Sequence, residues 1–280
     1  MADTPEQPKP DHSWMRHRLR KIEARASAED YLRPDHISYL ARIGDLRAFF
    51  LTQDRLSYNW FHGRNHPRAL HEPVLTRALV DSLTRKSVFV DVGANIGYFS
   101  VIAALRARAV FAIEPQEAMI GRIHANVAAN HLDNVTLIHA AAGAAPGFAN
   151  IPKLGTPATR VGESENRVMM IRLDDYFTGE WQPSHVKIDT EGFEHHVLLG
   201  AQKLLAARPV LYVEYHRGMQ EFGYSGEEMW DLLRDFGYRI TVARHRARRH
   251  EETEVTRDDL HLFEGQMMFC QPASTGEADA

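Results

Sequence analysis

A single cysteine, Cys270, sits among 280 residues. One thiol excludes an internal disulfide framework and a cysteine-built zinc site. Its apolar neighbours Met267, Met268 and Phe269 place it on a buried strand. Apolar runs of membrane-spanning length are missing, and so is a secretory apolar core, so a soluble cytoplasmic chain is expected. An excess of basic charge is missing too: 33 Lys and Arg face 37 Asp and Glu, for a net charge of −4. Without a global basic footprint, nucleic acid is not the expected partner. No internal repeat is visible. The 44% hydrophobic content suffices for one main domain with an N-terminal addition.

The stretch Ser87-Val-Phe-Val-Asp91-Val-Gly93-Ala-Asn95-Ile-Gly97-Tyr98-Phe99 carries most information. A β-branched run ends in an acid, and a glycine-spaced turn leads into an apolar, helix-like segment. Ligands of α/β proteins bind where a strand's carboxyl end turns into a helix. A second acid, Glu114, closes the next apolar run 23 positions after Asp91, the spacing of an acid that grips a ribose. The dinucleotide loop G-x-G-x-x-G is absent: Asp91 stands at its first glycine position, and three residues separate Gly93 from Gly97. An acid there repels a pyrophosphate and favours a cation. S-adenosylmethionine, with its amino group, sulfonium and adenosine, has the matching charge pattern, and a nicotinamide cofactor does not. A purely structural role, with Asp91 capping the helix and the glycines making a tight turn, is the plain alternative.

Along the chain, residues 1–12 and 272–280 read as disordered tails, 13–70 as an N-terminal helical extension and 71–271 as the cofactor-binding domain. Within the extension, Ser13 to Ala28 reads as a basic exposed helix. The apolar residues Ile37, Leu40, Ile43, Leu46 and Phe49 predict a second helix over 36–51, and Tyr58 to His62 an aromatic loop. From residue 71, helices and strands alternate as in an α/β doubly wound sheet, mostly parallel with an antiparallel last strand. Strands are expected at 87–92, 109–114, 135–139, 185–189, 210–214, 238–243 and 265–271, with helices at 71–84, 97–107, 117–130, from Glu194 and at 225–236. The glycine- and proline-broken segment 143–171 reads as an inserted β-hairpin with its tip at 156–166. This hairpin and the aromatic loop are the expected acceptor lid.

A second cluster, Lys187-Ile-Asp189-Thr-Glu191-Gly192-Phe-Glu194, sets three acids and a lysine at a strand end. Lys187 and Asp189 share one side of the strand, where they either pair or face the pocket. The next strand ends in Glu214-Tyr-His216, so a histidine reaches the same rim. The pieces VFVDVGANIGYFS, FAIEPQ, LDDYF, VKIDTEGFEHHVLLGAQKLL and PVLYVEYH resemble, in order and spacing, the FkbM-type S-adenosylmethionine-dependent methyltransferases. The resemblance covers roughly residues 70–217. It implies a class I Rossmann-like fold and O-methylation of a hydroxyl on a sugar, polysaccharide or secondary metabolite. It assigns Asp91, Gly93, Asn95 and Gly97 to the cofactor loop and Glu114 to the ribose. Ala94, Tyr98 and Pro115 complete the expected cofactor set. It also sets Lys187, Asp189, Glu191 and Glu194 beside the acceptor, with Glu214 as a further acceptor contact.

An attacking alcohol must lose its proton, and His216 is the candidate base. Asp189 either does that work directly or orients the histidine, with Lys187 holding Asp189 ionised or steadying an alkoxide. A structural Lys187–Asp189 salt bridge remains an alternative, as do helix-turn roles for Glu191 and Glu194. Asp189, Glu191, Glu214 and His216 follow no known metal-ligand spacing, so no metal is expected. The partner is then a small-molecule or saccharide acceptor, with no membrane insertion and a homodimer left open. An RNA methyltransferase using the basic segments near 16–25 and 243–250 is the competing reading, beside a non-catalytic cofactor-binding protein.

Overall fold

The computed structural model describes residues 38–52, 54–63, 70–151, 167–243 and 252–273. The calls on the N-terminal tail, the basic helix 13–28, the hairpin tip and the basic run from Arg244 lie outside these residues, as does the C-terminal tail from residue 274 on; Pro272, expected in that tail, closes the last strand. The first described elements are strands β1 (Ser38–Ile43) and β2 (Leu46–Leu51), an antiparallel hairpin with Ile43 opposite Leu46. This corrects the helix expected over 36–51. Burial alternates with period two: Tyr39, Ala41 and Ile43 point inward on β1, and Ala48 and Phe50 on β2, while Phe49 is exposed. The two-residue connection Gly44-Asp45, with Gly44 at φ 59, is the hairpin signal that the apolar spacing masked.

The hairpin is fastened to a helix of the main domain, α4 (Glu117–Ala129). Asn126 Oδ1 accepts from the Leu51 amide at 2.8 Å, and Asn130 Oδ1, at the helix's end, accepts from the Phe49 amide at 2.8 Å. Asn126 Nδ2 also donates to the Ile96 carbonyl at 2.8 Å, so one side chain ties the hairpin to the glycine loop. After α1 (Arg55–Tyr58), a turn over Asn59–Gly63 buries Trp60 and Phe61. Their rings join Phe50 and Tyr98 at centroid distances of 5.0 to 6.3 Å. The aromatic segment is therefore core, not the cover expected over the acceptor.

Helix α2 (Pro73–Ser82) leads into β3 (Val88–Val92), α3 (Tyr98–Ala104), β4 (Ala109–Ile113), α4 and β5 (Val135–Ile138). A small sheet follows, from β6 (Ala141–Ala142), β7 (Gly147–Asn150) and β8 (Arg167–Ile171), in the order β6-β8-β7. Its antiparallel β7–β8 pair is the expected hairpin. Then come α5 (Leu173–Tyr176), β9 (His185–Ile188), α6 (Glu194–Leu199), α7 (Gln202–Ala206), β10 (Val210–Tyr215), α8 (Gly226–Asp235), β11 (Tyr238–Ala243), β12 (Glu252–Glu254) and β13 (Gln266–Pro272). The main sheet runs β12-β11-β13-β10-β9-β3-β4-β5. Strands β10, β9, β3, β4 and β5 are parallel, and β13 runs antiparallel between β10 and β11.

The fold class is thus the expected one. The five residues of β3 are all buried, as a central parallel strand covered on both faces must be. Strand β9 pairs directly with β3, so their carboxyl ends, Asp91–Gly93 and Lys187–Asp189, open side by side. The LDDYF motif has a structural use: Asp174 accepts from the amides of Lys203 and Leu204, both at 3.0 Å, and caps α7. Among the described residues no helix is long and apolar enough to cross a membrane.

Candidate functional site

The loop leaving β3 is pinned by its neighbours. The amides of Gly93 and Ala94 donate to the Ile113 carbonyl at 3.0 and 3.1 Å. Gly93 has φ 78, and a Cβ there would lie 1.9 Å from the Asp189 carbonyl oxygen. The glycine is required because the end of β9 crosses directly against it. Asn95, at φ 54, turns its amide onto Glu114 Oε2 at 2.8 Å. Glu114 Oε1 accepts from the Gln116 amide, also at 2.8 Å. Two backbone donors thus hold a carboxyl only 3% exposed, and burial still pushes it up to about 7. Each oxygen keeps capacity to accept a ribose hydroxyl.

Beside this loop opens a cleft. Gly93, Asn95, Glu114, Pro115, Gln116, Asp189, Thr190 and Glu191 supply its polar and loop walls. Ile113, Ala140, Ala141, Ala142, Ile151 and Phe193 supply an apolar patch. Asn95 Oδ1 and Gln116 Oε1 on these walls are buried with no hydrogen-bond partner. Such acceptors are costly to leave unpaired and suit a ligand that brings N–H or O–H donors. Apolar patch, buried Glu114 carboxyl and orphaned acceptors together fit an adenosyl cofactor.

The acid cluster adjoins the cleft. Lys187, 1% exposed, sends its ammonium to Asp91 Oδ1 at 3.2 Å, the Gly93 carbonyl at 3.3 Å and Asp189 Oδ2 at 3.4 Å. Burial alone would lower Lys187, but the Asp91 and Asp189 carboxylates outweigh it and hold the ammonium charged. Asp91 also accepts from Ser100 Oγ at 2.6 Å. Burial acts to raise Asp189, yet Lys187 and a hydrogen bond from Glu214 hold it below its ordinary value. Burial and the Asp189 charge push Glu214 well above the carboxylate range, so it carries the shared proton. Asp189 is therefore an ionised carboxylate on the cleft wall, gripped from behind.

Glu191, at φ 56, meets His216 Nε2 at 3.3 Å, while His216 Nδ1 accepts from the Gly218 amide at 3.0 Å. Glu194 is fully buried, accepting from the amides of Thr190 and Gly192 at 2.8 and 3.0 Å; burial pushes it up to about 7. Among the described residues no group of three or more His, Cys, Asp or Glu is arranged to hold a metal ion.

The sequence matches a known domain. Residues 91–240, more than half of the chain, match the methyltransferase FkbM domain. The chain belongs to the FkbM methyltransferase family. The methyltransferase FkbM of Methylobacillus flagellatus KT superposes with a TM-score of 0.50 at 15% identity, covering 77% of this chain and 54% of that one. This FkbM chain thus spans about half the length of that relative, and at such identity the likeness is one of fold. TYW2 of M. jannaschii in complex with AdoMet aligns at a TM-score of 0.45 and 13% identity, covering 85% and 86% of the two chains. SMU.1697c, a putative methyltransferase from Streptococcus mutans in complex with SAH, aligns at 0.41 and 12%, covering 72% and 99%. No curated protein matches. The chain thus carries a methyltransferase domain, and its cleft fits S-adenosylmethionine, whose positively charged sulfur bears an electrophilic methyl group.

The residues singled out in the sequence divide in two. Gly93, Asn95, Glu114, Pro115, Asp189 and Glu191 lie on the cleft wall, whereas Asp91, Ala94, Gly97, Tyr98, Lys187, Glu194, Glu214 and His216 do not. Asp91 is consumed by Lys187 and Ser100, so the negative wall is built from Glu114, Asp189 and Glu191 instead. Ala94 is buried in the pinned loop, Gly97 packs on Ile123, and Tyr98 joins the aromatic core. Lys187 and Glu214 grip Asp189 from behind. Glu194 braces the loop 190–192, and the ring nitrogens of His216 are engaged by Gly218 and Glu191. Sequence reading missed Gln116, Thr190 and the alanines 140–142. Gln116 lies two residues past Glu114, the one cue available; the alanines carry none.

Proposed function

We propose that this methyltransferase acts on a hydroxyl of a sugar, polysaccharide or secondary metabolite, with Asp189 accepting the proton of the attacking oxygen. The observation carrying this reading is an ionised carboxylate on the cleft wall, fixed by Lys187 at 3.4 Å and by Glu214. In the displacement the acceptor oxygen bonds to the methyl carbon, the carbon–sulfur bond breaks with its electrons kept by sulfur, and the hydroxyl proton passes to Asp189. Holding the oxygen in line is the protein's main task, because the leaving group is already good. Lys187, out of reach of any acceptor, is a positioning residue that keeps Asp189 ionised. His216 orients Glu191, which offers an acceptor site for a neighbouring hydroxyl.

An acidic wall of Glu114, Asp189 and Glu191 supports a neutral, hydroxyl-rich acceptor over a polyphosphate, which the same wall repels. The test is transfer of a 13C-labelled methyl group to panels of neutral sugars, polysaccharides, hydroxylated metabolites and RNA, read by NMR. Label at a methoxy shift in the neutral panels is the expected result. Label confined to RNA, or found on nitrogen or carbon, overturns the proposal.

A further inference from the structure

Residues 189–193 connect β9 to α6, and two of them are left-handed: Glu191 at φ 56 and Gly192 at φ 110. A left-handed backbone is unfavourable for Glu191, which carries a Cβ, and persists only where its surroundings hold it. Gly192 is pressed against the turn after β10: a Cβ there would lie 2.7 Å from the Gly218 carbonyl carbon and 2.9 Å from its Cα. A single oxygen, Glu194 Oε1, accepts from the Thr190 amide at 2.8 Å, the Thr190 hydroxyl at 3.2 Å and the Gly192 amide at 3.0 Å. The amides on either side of Glu191 thus converge on one carboxyl, as the amides of a backbone nest converge on an anion.

The second oxygen of Glu194, Oε2, is buried with no hydrogen-bond partner, so the described side-chain hydrogen bonds of this carboxyl all go to the one turn. Glu194 is fully buried and lies off the cleft wall, whereas Thr190 and Glu191 lie on it. It therefore cannot touch an acceptor; it fixes the segment that does. With both flanking amides held, the Glu191 carboxylate faces the cleft, where His216 Nε2 meets it at 3.3 Å. Without Glu194 the turn loses the hydrogen bonds that keep Glu191 from relaxing out of the left-handed region.

We propose that Glu194 is a positioning residue for acceptor binding: it holds the left-handed turn that aims Glu191 at the acceptor, and so sets acceptor affinity while leaving the cofactor side unchanged. The proposal deepens the neutral-hydroxyl reading and rests on it. Three measurements on the full chain test it: amide hydrogen exchange at Thr190 and Gly192, calorimetry with S-adenosylmethionine, and KM and kcat for the neutral acceptor that takes most label in the panel. Glu194→Ala is expected to speed exchange at both amides and to raise acceptor KM about tenfold, the scale of one hydrogen bond to a charged group. Cofactor affinity and kcat should stay within about threefold, the pattern of lost uniform binding. Glu191→Gln should raise KM alike, and adding Glu194→Ala to it should cost no more, because two residues acting through one contact are not additive. Glu194→Gln keeps the accepting oxygen and should restore both exchange and KM. Glu194→Leu, close in volume, should repeat the alanine result should that variant fold poorly. Additive KM effects, a loss of kcat or cofactor affinity as large as the rise in KM, or unchanged exchange at Thr190 and Gly192 overturns the proposal. Failure of every neutral acceptor to take label would instead overturn the proposed function, and exchange at the two amides would still decide whether Glu194 holds the turn.

Discussion

The two acidic ends of this cleft are held in different ways. Glu114, past β4, is fixed by two backbone amides. Asp189, past β9, is fixed by a buried lysine and a protonated carboxyl. A carboxyl on amides is fixed by the loop's shape, so it suits a constant partner such as a ribose. A carboxyl inside a charge network keeps an environment that each neighbour tunes, which suits proton transfer to a variable acceptor. Lys187 joins the two sides, since it also donates to the Gly93 carbonyl of the cofactor loop.

Removing the lysine should break the comparison most. Lys187→Met leaves Asp91, fully buried, without its cation, which costs about 3–5 kcal/mol and lowers Tm by roughly 10 °C. Adding Asp91→Asn should recover more than half of that loss in thermal melts. Equal melting of the single and double variants would show that the pair is not the buried charge couple described. Next in size, Glu114→Ala should weaken S-adenosylmethionine about 100-fold by calorimetry, since it removes charged hydrogen bonds worth about 1.5–3 kcal/mol each. Unchanged affinity would remove Glu114 from the cofactor side.

Asp189→Asn keeps the shape and loses the proton acceptor. Turnover should fall about 100-fold, the usual scale of general-base loss, with cofactor affinity changed only a few-fold. A fall in affinity as large as the fall in turnover would place Asp189 with Glu114 and erase the distinction between the two ends.

How much of this was legible follows from where each signal resides. The order of strands, the glycine loop and both acids were readable because each is local: a β-branched run, a turn, a carboxyl at the strand's end. The pairing of Lys187 with Asp91 depends on β9 lying against β3, a contact across 96 positions that neither segment encodes alone. The hairpin at 38–51 was misread because Leu40, Ile43, Leu46 and Phe49 fall at helical spacing. Yet the buried residues are Tyr39, Ala41, Ile43, Ala48 and Phe50, which the Gly44-Asp45 turn brings to one face. His216 was a sound guess by residue type, and only the Gly218 amide and Glu191 reveal that its nitrogens are engaged.

The smallest effect is a pH profile that separates the two ends. Burial raises Glu114 from its ordinary 4.5 to about 7. A raised carboxyl favours the folded state below pH 4.5, and that contribution is lost as pH climbs through 7. Cofactor binding has the opposite sign, because ribose hydroxyls donate to the ionised form and Glu114 must release its proton to receive them. Affinity should therefore rise about tenfold from pH 6 to pH 8, as the ionised fraction grows through a pKa near 7. Calorimetry in buffers of different ionisation enthalpy should show the proton leaving. Glu194 is also raised to about 7 but braces the loop away from the wall, so Glu114→Gln alone should flatten the profile. A tenfold rise that survives in Glu114→Gln would move the titrating group to the Asp189 side and reverse the assignment of fixed and tunable ends.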